Sequence, residues 1–122
     1  MSKVKIVVVE PNKAPYVAFA DGSLTNYQKI VGGYIEVVYD KGGGVIVLNE
    51  DGKLLGLPKN RAYHGDVLCG TFFIVGVSGD DFASLTTEQV HYYMSVFEMP
   101  DVFTPESENI NALLKWLDSM GK

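Results

Sequence analysis

The sequence predicts an α+β fold: a mainly antiparallel sheet with two or three helices packed to one side. Three observations predict it. Runs such as "KVKIVVVE" and "TFFIVGV" are apolar on successive residues, which suits inner strands covered on both faces. "KGGG" and "EDGK" read as hairpin turns, so strands follow strands instead of alternating with helices. Two stretches, beginning at "SLTNYQKIV" and "TTEQVHYYM", repeat apolar residues at helical spacing behind a capping residue.

Taken in order, "KVKIVVVE" places Val4, Ile6 and Val8 on one face and Val7 and Val9 on the other. "EPNKAP" is a loop, and "YVAFA" is a second strand that closes a hairpin. "DGSLTNYQKIVGG" is a short helix, capped by Ser23 and stopped by Gly32-Gly33. "YIEVVYD" alternates and reads as a strand. "KGGG" turns it into "VIVLNE". "EDGK" supplies a turn that needs positive φ, so "KLLGL" is expected to return as a strand, ended or marked as an edge by Pro58. "PKNRAY" fits one helical turn, and "VLCGTFFIVGV" is a long apolar strand. "SGDDFAS" is a loop. The next helix has capping-box spacing at Thr86 and Gln89, with Leu85 and Val90 as its staple. A final helix follows Thr104-Pro105, with Ile110, Leu113, Leu114, Leu117 and Met120 on one stripe. Lys5 to Val9 and Thr71 to Val77 are the expected inner strands. Residues 1–100 are expected to form the α+β domain, and residues 101–122 a helical extension packed on that domain or on a partner.

A chain of 122 residues fits one domain that needs no metal or disulfide staple. Its single cysteine, Cys69, permits no intrachain disulfide. The first apolar run ends at Glu10-Pro11, too early for a secretory leader, so a cytoplasmic setting is expected. No run is long enough for a membrane span. The net charge of −5 is unevenly spread. Residues 1–61 carry eight basic and six acidic side chains, whereas residues 62–122 carry two basic and nine acidic. The acidic balance and scattered lysines argue against nucleic-acid binding.

"VGGYIEVVY", "NEDGKLLGLPKNRA" and "GTFFIVG", followed by "DFASLTTEQV", occur in this order between Lys3 and Phe97. In these motifs the chain resembles the domain-of-unknown-function 3846 family of phages, plasmids and integrative elements of Gram-positive bacteria. The resemblance implies a mobile-element setting and no particular activity. Positions that fit the shared pattern include Gly33, Tyr34, Glu36, Pro58, Asn60 and Arg61. Tyr63 to Leu68 falls where the family varies, and 101–122 falls outside the shared region.

Candidate chemistry is sparse. His64, Asp66 and Cys69 lie close together, with His91 elsewhere, but their spacing does not match the paired ligands of a zinc site. Ser78 lacks a nucleophile-elbow context, and the pairs Glu50-Asp51 and Asp80-Asp81 fit turns and loops. No catalytic residue, metal ligand or cofactor is assigned. "LPKNRA" holds the only arginine. The Arg61 guanidinium fork suits phosphate or carboxylate, the Asn60 amide suits a base edge or a turn, and Tyr34 and Tyr63 offer stacking faces. With Glu36 beside them, these residues define an expected site for a small anionic ligand such as a nucleotide. The competing reading pairs Arg61 with Glu36 and uses Asn60 to cap the turn after Pro58. The expected function is a non-enzymatic accessory protein of a phage or mobile element, with a counter-defence role. The alternative is a protein-interaction module that uses the acidic second half and the last helix against a host protein. Self-association as a homodimer stays open.

Overall fold

The computed structural model describes residues 3–101, and the predicted final helix at 105–120 lies outside them. Its elements run β1 (Val4–Val9), β2 (Tyr16–Ala20), α1 (Leu24–Val31), β3 (Ile35–Tyr39), β4 (Val45–Asn49), β5 (Lys59–Tyr63), β6 (Asp66–Cys69), β7 (Phe72–Ser78), β8 (Asp81–Ala83) and α2 (Thr87–Val96). The main sheet has the order β2-β1-β7-β4-β3, with β8 also on β7, and β5-β6 form a separate hairpin. All these pairs are antiparallel, so the protein has an α+β fold. β1 and β7 are inner strands, as their two-sided apolar character requires.

The helices do not share a side. Ile6, Val8, Val45, Val47, Phe73 and Val75 pack against Tyr27 and Val31 of α1 on one face. Val7, Val9, Ile46, Phe72 and Ile74 pack against Leu68 of the hairpin and Tyr93 of α2 on the other. The expectation of one-sided helices is therefore corrected. Inner strands that are apolar on both faces need cover on both, and one helix per face provides it.

Both helix starts follow the sequence signals. The Ser23 hydroxyl accepts from the Asn26 N–H at 3.1 Å, and Gly32 ends α1 at φ 81°. Thr86 and Gln89 close a reciprocal capping box on α2.

Four segments differ from expectation. "KLLGL" is no return strand. β4 already has β3 on one edge and β7 on the other, so no edge remains for it. Residues 50–56 instead form consecutive turns, with Leu55 N–H donating to Asp51 C=O at 2.8 Å. "PKNRAY" is strand β5 and not a helical turn. "VLCGTFFIVGV" is broken at Gly70, whose φ of 80° sends β6 and β7 into different sheets. "SGDDFAS" also contains the short strand β8.

Gly76 allows β8 to lie against β7. A Cβ there would sit 2.6 Å from the Ser84 carbonyl oxygen and 3.0 Å from that of Ala83. Both are backbone atoms that cannot rotate away. Gly76→Ala is expected to cost about 2 kcal/mol, in the range of other overpacked sites. Urea unfolding measures this, and an unchanged midpoint would show that β8 yields freely.

Candidate functional site

The β5-β6 hairpin turns at His64 and Gly65, both with positive φ (49° and 77°), which gives the tight two-residue turn that matches strand twist. A bulge lies between Lys59 and Arg61, where the register passes from Lys59↔Cys69 to Arg61↔Leu68. The bulge breaks the in-out alternation, so the consecutive residues Asn60 and Arg61 are both buried, at 0% and 2% exposure.

Every donor of these two side chains is engaged. The Asn60 amide donates to Val9 C=O and Gly70 C=O, each at 2.8 Å, and its oxygen accepts from Arg61 Nη1 at 2.9 Å. Arg61 Nη1 also reaches Asn60 C=O at 3.4 Å. Nη2 donates to Lys13 C=O at 2.7 Å and Phe97 C=O at 2.9 Å, and Nε to Phe97 C=O at 3.3 Å. The five N–H groups of the guanidinium thus clamp the β1-β2 loop, the hairpin and the C-terminal end of α2 together. Phe97 is the C-cap of α2, where the partial negative charge of the helix end suits a cation. Burial lowers the Arg61 pKa, and the charge of Asp101 acts against that shift. Asp101 also accepts from the Ala62 N–H at 2.7 Å.

This geometry corrects both readings of Arg61. The guanidinium presents no unused donor to an anion, and Glu36 is not among its partners. Asn60 does not cap the turn after Pro58 by its side chain; it bridges β1 to Gly70.

A second polar knot was not singled out from the sequence. The Asp40 carboxylate, whose side chain is 3% exposed, accepts from Tyr93 Oη at 2.6 Å, Tyr63 Oη at 2.7 Å and Gly42 N–H at 3.0 Å. His64 Nε2 lies 3.8 Å from the same carboxylate. Burial pushes the Asp40 pKa up, but the hydrogen bonds from Tyr93, Tyr63 and Gly42, with the His64 charge, outweigh it and hold the group below the usual carboxylate value. Burial, followed by the bonds to Asp40, raises the pKa of both tyrosines. Tyr93 Oη also accepts from the Gly44 N–H at 3.0 Å, which ties α2 to the β3-β4 turn. A tyrosine on the buried face of a predicted helix was the available signal, because its hydroxyl needs a partner.

Between the hairpin and the β3-β4 half of the sheet lies a groove. One end is a cavity of about 250 Å³ bounded by Tyr39, Asp40, Ile46, Tyr63, His64 and Leu68. The other is a cavity of about 200 Å³ bounded by Asn49, Glu50, Asp51, Lys53, Val67 and Cys69. Glu36, Leu48 and Asp66 line both, so the two adjoin. The lining combines the apolar Ile46, Leu48 and Leu68 with the carboxylates of Glu36, Glu50, Asp51 and Asp66. The Lys53 ammonium is bound to Asp66, which raises the Lys53 pKa and lowers that of Asp66.

Of the five expected site residues, Glu36 and Tyr63 line this groove. Asn60 and Arg61 lie in the clamp behind it, and Tyr34 stands 71% exposed ahead of β3. Cys69 is buried, with its thiol 3.8 Å from the Val67 carbonyl oxygen. Among the described residues no three His, Cys, Asp or Glu side chains are grouped to hold a metal ion, and no helix is long and apolar enough to cross a membrane.

No curated protein and no solved structure matches the chain. The model of the domain of unknown function DUF3846 matches residues 4–98, most of the chain and nearly all of the fold described above, and the protein belongs to that family.

Proposed function

We propose that the domain is a non-enzymatic binding module whose groove grips a basic segment of a partner protein. The observation that carries this reading is the groove's composition. The carboxylates of Glu36, Glu50 and Asp51 line the groove together with the apolar Ile46, Leu48 and Leu68, while Lys53 and Asp66 neutralise each other. Such a surface attracts lysine or arginine heads and accommodates their methylene stems. An anionic ligand such as a nucleotide would meet carboxylates here, and Arg61 is spent on carbonyls. The motif resemblance adds a mobile-element setting to the proposal, and the proposal extends to a cytoplasmic location, a host protein as the partner and counter-defence as the role.

Calorimetric titration with a short lysine- and arginine-rich peptide tests this. Binding is expected to weaken by about tenfold or more between low and high salt, since exposed charges are screened. Glu36→Lys and Glu50→Lys are expected to abolish it without lowering the melting temperature, because both side chains are exposed. Binding of ATP that is lost in a folded Arg61 variant, with no binding of the basic peptide, would overturn the proposal in favour of an anion site.

A further inference from the structure

β3 ends the main sheet, and among the described residues its outer edge pairs with no other strand. Two bonds fix the backbone direction along it. Tyr34 C=O accepts from Glu50 N–H at 2.9 Å, and Asp40 N–H donates to Gly44 C=O at 3.0 Å. Even-numbered residues therefore turn their polar backbone groups toward β4, and by alternation Ile35, Val37 and Tyr39 turn theirs outward. β3 contains no proline and no lysine, and its register with β4 runs unbroken from Ile35↔Asn49 to Tyr39↔Val45. Nothing in the strand itself blocks the addition of another.

The two faces of this edge differ. Ile35 packs against the α1 cluster, and Val37 and Tyr39 alternate onto the same face. Glu36 and Val38 pair with Leu48 and Ile46 on the other face, and both line the acidic groove. The free edge and the groove therefore meet along Glu36 and Val38. Glu36 is the only charged residue of β3. It disfavours a second β3 as the added strand, because two Glu36 carboxylates would become diagonal neighbours. β2, at the far edge of the sheet, carries no charged residue, and none of its residues lines the groove.

We infer that the basic segment is gripped as an added strand, paired antiparallel with β3, with lysine or arginine at every second position on the groove face and apolar residues between them. This rests on the groove reading above and adds the mode of recognition. Backbone bonds to Ile35, Val37 and Tyr39 hold the segment whatever its side chains, and the alternate side chains select it. Residues opposite Glu36 and Val38 project on the groove face. There a cation pairs across the strands with Glu36, and its methylene stem covers Val38. Residues opposite Ile35, Val37 and Tyr39 project on the α1 face, where apolar side chains continue an apolar stripe. An acidic strand would set like charges against Glu36 and the groove, so charge chooses the occupant. Antiparallel pairing gives the stronger ladder.

Calorimetric titration of the full chain with a short peptide of alternating lysine and valine tests this. In the antiparallel arrangement the valine N–H groups face β3 and the lysine N–H groups face away. Methylating the valine nitrogens is expected to weaken binding by about tenfold or more, because donors to the β3 edge are lost. Methylating the lysine nitrogens is expected to leave the affinity unchanged. Val37→Pro should weaken binding of the unmodified peptide similarly, since it removes an outward donor and no bond to β4. Far-ultraviolet circular dichroism of that variant confirms that it is folded. Equal binding of the plain peptide and both methylated forms, still abolished by Glu36→Lys, would overturn the added strand and leave the groove reading standing. A loss confined to the lysine-methylated form would overturn the antiparallel direction. If no form of the peptide binds, the inference and the groove reading fall together.

Discussion

Arg61→Ala is expected to remove about 4 kcal/mol of stability, out of the roughly 5–15 kcal/mol typical of a whole domain. The change deletes the buried donors that satisfy Lys13, Phe97 and Asn60 oxygens, and each buried acceptor left without a partner costs about 1–3 kcal/mol. It also leaves a void where one of the largest fully buried side chains stood. Arg61→Lys is expected to recover less than half of the loss. A single ammonium cannot span three carbonyls that lie in different directions around a planar fork. Urea unfolding of both variants gives the comparison. A loss below about 1 kcal/mol in Arg61→Ala would sink the clamp, because a surface arginine behaves that way.

Asp40→Ala should cost about 3 kcal/mol, since it leaves the Tyr63 and Tyr93 hydroxyls buried without an acceptor and frees the turn at Gly42. The same group contributes a pH dependence of definite sign. Its folded pKa lies below the unfolded value of 3.8, so the native state binds its proton less readily than the unfolded chain. The contribution is therefore full above 3.8 and is lost as the pH falls through the lowered folded value. In Asp40→Asn that acid-side loss should disappear, while stability at neutral pH drops by the difference between charged and neutral hydrogen bonds. Acid titrations of urea midpoints would show both effects. An identical acid-side slope in wild type and Asp40→Asn would mean that the buried carboxylate is not the group titrating.

The two polar centres differ in how far their roles could be read from the chain. "LPKNRA" stood out because it holds the sole arginine in a break between apolar runs. Its burial could not be read there, because a polar pair in a predicted turn looks solvated. The bulge that turns both side chains inward arises only when β5 pairs with β6. Asp40 looked like an ordinary residue before a glycine turn. Its other partners, Tyr63 and Tyr93, are 23 and 53 residues away in sequence, so no local spacing signals the knot.

By itself the sequence determined the family, the α+β class, the two inner strands and the capped ends of both described helices. Those features depend on neighbouring residues: β-branched runs, Ser23 with Asn26, Thr86 with Gln89, and a glycine at 32 that accepts positive φ. The tertiary structure alone decided which face each helix covers, that no strand returns after Asn49, and that Arg61 holds the fold together from inside. The physical reason is common to all three. Each depends on which edges and faces of the sheet are already occupied, and that is settled only when strands far apart in the chain come together.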